Sequence, residues 1–261
     1  MTQVSRLERP DGQTIAYLNR ATKATGPGVL WLSGFKSEMT GIKAAALDAW
    51  AARTDRGYTR FDYFGHGASS GAFREGTVSR WRADALAVID ELTDGPQVLV
   101  GSSMGAWIAL LVALARPARV VGMVLIAPAP DFTEELIWDE LPDEARREIE
   151  TTGELMRASA YDPDPYPITR ALIEDGRRHL LLKQTIRLQM PIHILHGMAD
   201  QDVPWTHALR LVEKLVSKEV TLELVKHGDH RLSTAGDIAR LIRALESQLK
   251  PLESRPIGSS S

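Results

Sequence analysis

The chain has 261 residues, 44% apolar and 25% charged, which is enough for one large globular α/β domain with a full core. Its 31 basic and 34 acidic residues leave a net charge of -3, and no basic stretch exceeds a pair such as Arg177-Arg178, so neither nucleic acid nor an anionic membrane is an expected partner. The absence of cysteine removes disulfides, thiolate metal sites and a cysteine nucleophile together.

No apolar signal core follows the N-terminal residues, and no segment approaches the length that spans a bilayer. A cytoplasmic location is the resulting expectation. Asp11-Gly12 lies between two alternating segments, 3–8 and 14–19, and predicts a hairpin. Short β-rich runs follow at 29–32, 58–62, 98–100, 120–126, 192–195 and 220–225. Helical spacing of apolar residues separates them at 43–53, 79–92, 106–115, 207–215 and 238–249. Strands alternating with helices predict a mostly parallel eight-stranded sheet with helices on both faces. Reactive side chains then belong in loops at the carboxyl ends of the strands.

Residues 129–189 break this rhythm with charge, proline and scattered large apolar side chains. The segment reads as an inserted cap, with helices at 143–151 and 168–185 and a rigid turn at Asp162-Pro163-Asp164-Pro165. The expected organisation is a core of residues 1–128 and 190–250, a cap of 129–189 and a disordered tail of 251–261.

Gly101-Ser102-Ser103-Met104-Gly105 connects the run 98–100 to the helical stretch 106–115. A serine on a strand-to-helix turn takes a strained backbone, and flanking glycines remove side chains where strand and helix nearly touch. Only Ser103, not Ser102, has a glycine two positions away on each side. A serine hydroxyl needs a base, and the base needs a carboxylate to hold its tautomer. Asp200 and Asp202 both follow the late run 192–195, and Asp200 is favoured because it stands first past the strand end. His230 follows the last run, with His227 as a rival nearer its strand and His196 read as a core histidine. Backbone N–H groups of Phe35 and Met104 are the expected oxyanion donors. In the segment 62–71, Asp62 and His66 are read as hydrogen-bonding loop backbone. Trp107, Trp138 and Trp205, with Met156 and Tyr161, are candidates for an apolar substrate pocket. One histidine beside two aspartates in a loop lacks a third nitrogen or sulfur ligand, so neither a metal nor a cofactor is expected.

Gly34-Phe35 with Met39-Thr40-Gly41, Arg60-Phe61-Asp62-Tyr63, Asp94-Gly95-Pro96-Gln97 running into Val100-Gly101-Ser102-Ser103, Ala115-Arg116-Pro117, Leu195-His196-Gly197-Met198 with Val203-Pro204-Trp205, and Asp229-His230-Arg231 carry a resemblance. They resemble the α/β-hydrolase superfamily, and within it the branch of mitochondrial acyl-glucuronide esterases and palmitoyl-protein thioesterases. The resemblance spans nearly the whole chain and is weakest in the cap. It implies a catalytic triad of Ser103, Asp200 and His230 acting through an acyl-enzyme on a small-molecule ester or thioester, or on an acylated protein. The chain lacks the targeting extension of those relatives, which keeps the cytoplasmic expectation. Carbon–carbon bond hydrolysis, acyl transfer on the same triad and non-catalytic ligand binding are the alternatives that the elbow leaves open.

Overall fold

Arg9 and Gln13 close the first turn, the Arg9 N–H donating to the Gln13 carbonyl at 2.8 Å. This turn joins β1 (Ser5–Glu8) to β2 (Thr14–Arg20) as an antiparallel pair in register Glu8 to Thr14. The computed structural model describes residues 3–22, 26–158 and 163–253. Along the chain follow β3 (Gly28–Leu32), α1 (Ile42–Arg53), β4 (Tyr58–Phe61), α2 (Val78–Glu91), β5 (Gln97–Ser102), α3 (Met104–Ala115) and β6 (Val120–Ile126). Next come α4 (Asp143–Thr152), β7 (Glu154–Arg157), β8 (Tyr166–Thr169), α5 (Arg170–Gly176), β9 (Ile192–Gly197), α6 (Trp205–Lys214), β10 (Val220–Val225) and α7 (Ala235–Glu253).

Eight strands form one sheet in the order β1-β2-β4-β3-β5-β6-β9-β10. From β4 to β10 every pairing is parallel, while β1 and β2 run antiparallel at one edge. Strands buried on both faces read as continuous apolar runs, and β3, β5 and β6 do so. Their side chains alternate between two cores. Leu30, Leu99 and Leu125 pack with α2, α3 and α6, whereas Val29, Val98 and Val124 pack with α1 and α7. In α3 every residue from Met104 to Ala113 is buried, as expected of a helix apolar all round and wedged between sheet and neighbours. No helix among the described residues is long and apolar enough to cross a membrane.

Between β6 and β9 the chain departs from expectation. A π-helical turn over Thr133–Trp138 follows β6, and β7 and β8 form a separate antiparallel hairpin. The helix predicted over 168–185 is overturned: Ile168 and Thr169 pair with Leu155 and Glu154, and only Arg170–Gly176 is α-helical. The Thr169 hydroxyl starts that helix by accepting the Leu172 N–H at 3.1 Å. Beyond the 3-10 turn Arg177–His179, the buried Asp131 carboxylate takes the N–H groups of Leu181 and Leu182 at 2.7 and 2.8 Å. These amides are thereby removed from any helical ladder. The expected tail of 251–261 is corrected at its start, because residues 251–253 continue α7; Tyr161, Asp162 and the residues from 254 onward lie outside the described residues.

Candidate active site

The sharpest backbone feature sits where β5 meets α3. Ser103 has φ 54° and ψ -117°, a left-handed conformation that costs a non-glycine residue on the order of 1–3 kcal/mol. The flanking glycines make the turn possible. A Cβ on Gly105 would stand 2.1 Å from the Leu32 carbonyl oxygen, and one on Gly101 would stand 2.6 Å from the Gly105 carbonyl oxygen. The Ser103 N–H is held by the Ile126 carbonyl at 2.8 Å, so the turn is anchored to the adjacent strand.

Three loops at the carboxyl ends of β5, β9 and β10 bring Ser103, Asp200 and His230 together. The His230 Nε2 lies 3.1 Å from the Ser103 Oγ, and its Nδ1 lies 2.8 Å from the Asp200 Oδ2. The other Asp200 oxygen, Oδ1, accepts the backbone N–H groups of Asp202 and Val203, both at 2.9 Å. Burial pushes the Asp200 carboxyl up. Hydrogen bonds from His196 and His230, the charge on His230 and the Val203 N–H more than reverse this, holding it well below the usual carboxylate range. Asp202 contributes its N–H to Asp200, and its side chain borders the adjoining cavity. His227 is exposed. Donor atoms of Asp200, Asp202 and His230 lie within 4.8 Å of one another, a set of one nitrogen and two carboxylates. The Asp200 Oδ2 and His230 Nδ1 are engaged with each other.

The loop after β3 approaches Ser103 from the other side. At Gly34 an added Cβ would already be 3.5 Å from the Ser103 Cβ. Lys36 takes a positive φ of 55°, and its N–H donates to the His66 Nε2 at 3.2 Å. The His66 Nδ1 faces the Phe64 carbonyl at 3.1 Å, so the neutral Nδ1–H tautomer satisfies both contacts. Burial pushes His66 down to about 4, partly opposed by its bond to Phe64. Asp62 accepts the N–H groups of Met39 and Ala68 at 2.7 and 2.9 Å. Among the described residues, neither the Phe35 nor the Met104 N–H donates to a protein acceptor, and both residues border the cavity beside Ser103.

That cavity measures about 510 Å³. Phe35, Phe132, Leu136, Ile137 and Tyr166 form an apolar wall, and Lys36, Arg157 and Arg231 supply basic groups. The expected tryptophans lie elsewhere. Trp107 is buried in the core, its Nε1 donating to the His179 carbonyl at 3.2 Å and its ring edge-on to Phe132 at 5.7 Å. Trp138 packs half-buried against the core with Arg177 and Arg146 over its ring, and Trp205 opens α6; neither lines the cavity. Met156 is exposed. Sequence reasoning passed over Phe132, Leu136 and Ile137, although their spacing directly after β6 carried a helical signal.

A sheet of this order, with a serine on such a turn at the end of its fifth strand, defines the α/β-hydrolase class. Residues 28–170, more than half of the chain, match the Hydrolase_4 family, described as serine aminopeptidase, S33. The chain is 37% identical over 254 residues to the mitochondrial palmitoyl-protein thioesterase ABHD10 of Rattus norvegicus, covering 97% of this chain and 84% of that protein. Among solved structures, a putative hydrolase from Agrobacterium vitis S4 superposes with a TM-score of 0.91 at 47% identity, over 95% of this chain and 98% of that one. Mouse alpha/beta hydrolase domain-containing protein 10 superposes with a TM-score of 0.86 at 36% identity, over 94% and 97% of the two chains. The chain belongs to the Hydrolase_4 family of α/β-hydrolases and is an esterase- or thioesterase-type hydrolase similar to ABHD10. The cytoplasmic expectation is corrected by these comparisons, because the ABHD10 relatives, those of rat and human among them, are named as mitochondrial proteins.

Proposed function

We propose that the chain hydrolyses carboxylic esters or thioesters through an acyl-enzyme on Ser103. The observation that carries this reading is the continuous contact from the Ser103 Oγ through His230 to Asp200, at 3.1 and 2.8 Å. His230 removes the hydroxyl proton as the Ser103 Oγ attacks the carbonyl carbon, and Asp200 holds the ring and stabilises the imidazolium. The N–H groups of Phe35 and Met104 receive the oxyanion. His230 then returns the proton to the leaving alcohol or thiol as the acyl–leaving-group bond breaks. In the second half, water gives a proton to His230, attacks the acyl carbon and releases the acid, and Ser103 recovers its proton.

Residues 129–189 act as a cap in this proposal, contributing Phe132, Leu136, Ile137 and Tyr166 to an acyl pocket. The name of the rat relative, a palmitoyl-protein thioesterase, supports an acylated thiol, on a small molecule or a protein, as substrate class. Labelling with a fluorophosphonate probe tests the nucleophile. Wild-type protein is expected to label at Ser103, and the absence of labelling would sink the proposal. A panel of p-nitrophenyl esters and acyl thioesters of graded chain length then ranks the leaving groups.

A further inference from the structure

One buried imidazole behind the site takes no part in the steps proposed above. His196, in β9, is wholly buried. Its Nε2 faces two acceptors, the Val203 carbonyl at 3.0 Å and the Asp200 Oδ2 at 3.3 Å. A ring nitrogen between two oxygen acceptors carries a hydrogen, whichever form the other nitrogen, Nδ1, takes. That Nδ1 is buried and has no hydrogen-bond partner among the described residues. An aliphatic side chain would fill the same space without an unsatisfied nitrogen, so packing does not account for a histidine here. Its donor does. Asp200 receives two backbone N–H groups on Oδ1; its Oδ2 meets the His230 Nδ1 at 2.8 Å, and on another side the His196 Nε2 stands 3.3 Å away, sharing its hydrogen with the Val203 carbonyl.

We propose that His196 is a positioning residue for the proposed triad, a donor that aims the Asp200 Oδ2 at His230 and shares its negative charge. The proposal rests on the Ser103 reading above. Two effects follow from removing the donor. The carboxylate loses one of the two contacts that orient Oδ2, so the Asp200–His230 bond becomes less well aligned in the transition state. The remaining charge on Oδ2 also falls more fully on His230, which strengthens its hold on an imidazolium there. The ionisable groups around the pair are Asp202 on the same loop, Tyr166 and Arg157 across the cavity, and Asp229 and Arg231 beside His230. Lys43 of α1 donates to the Arg231 carbonyl, and His207 of α6 lies behind His196. None of these is altered by the variants below.

The test compares His196→Gln, which keeps an amide donor near the place of Nε2, with His196→Leu, which keeps bulk without a donor. His196→Asn serves as a second donorless arm, because its amide reaches only the place of Nδ1. Activity on a p-nitrophenyl ester is measured as a function of pH, beside thermal unfolding and a Ser103→Ala control. For Leu and Asn, kcat is expected to fall roughly ten-fold with KM nearly unchanged. The acid limb of kcat/KM should move up by about half a pH unit in both, with Gln restoring most of each effect. If either donorless variant folds and keeps the wild-type rate and acid limb, the proposal is overturned. It is equally overturned if Gln fails to restore the limb. Activity in Ser103→Ala would instead overturn the underlying nucleophile assignment.

Discussion

The His230 Nε2 stands 3.1 Å from the Ser103 Oγ, although 127 residues separate the two along the chain. The distance is that of a hydrogen bond, and the hydroxyl lies on a backbone turn whose strain is held by the β5–α3 junction. Replacing Ser103 by alanine keeps the turn and removes the proposed nucleophile. Turnover is expected to fall by roughly three or more powers of ten with little change in stability, as read by steady-state hydrolysis and thermal unfolding.

The two strand-end carboxylates separate cleanly under mutation. Asp200 meets His230 at 2.8 Å, whereas Asp202 supplies a backbone N–H to Asp200. Asp200→Asn is expected to lower kcat roughly 10³- to 10⁴-fold, and Asp202→Asn only about two- to three-fold. Equal losses in the two variants would refute the assignment of Asp200 as the orienting acid.

Close approach of α3 to β3 depends on the missing side chain of Gly105. With a Cβ only 2.1 Å from the Leu32 carbonyl oxygen, Gly105→Ala forces helix and strand apart. A loss of about 3 kcal/mol in urea unfolding is expected, together with loss of fluorophosphonate labelling as the turn distorts. An unchanged unfolding midpoint would contradict that packing.

His66 links acid stability to the loop that carries Phe35. Burial depresses its folded value to about 4, so the folded state holds the ring neutral. The stabilisation from this neutral ring is present above the unfolded value near 6.5 and is lost as pH falls through the window down to about 4. Wild-type protein should therefore lose about 2–3 kcal/mol more than His66→Gln between those limits. Denaturant titrations at several pH values measure the difference. Parallel curves for the two proteins would disprove it.

Filling the cavity tests the proposed acyl pocket. Leu136 lies on the apolar wall with Phe132 and Ile137. Leu136→Trp should raise KM for long-chain substrates roughly ten-fold while leaving a two-carbon ester nearly unaffected. A uniform loss across chain lengths would point to damage elsewhere in the site.

The positions of Ser103, Asp200 and His230 after the parallel strands β5, β9 and β10 were legible from neighbouring residues alone. A Gly-x-Ser-x-Gly turn answers a steric demand made within five residues, and apolar runs of strand length announce the strand ends. The same local information made all eight strands of the sheet readable. The segment between β6 and β9 was different. Ile168 reads as helical by spacing, yet it pairs with Leu155 across a hairpin, and that choice belongs to the partner strand. Which aromatic faces the cavity was also undecidable locally, because Trp107 is turned into the core by the His179 carbonyl 72 residues away while Phe132 and Tyr166 take the wall. Local sequence marks His196 only as a core histidine, and the fold alone sets the Asp200 Oδ2 3.3 Å from its Nε2. Turn chemistry and strand burial act between neighbours and are written in short motifs. Cavity walls and hydrogen-bond partners are set by which distant surfaces meet, and only the folded chain decides that.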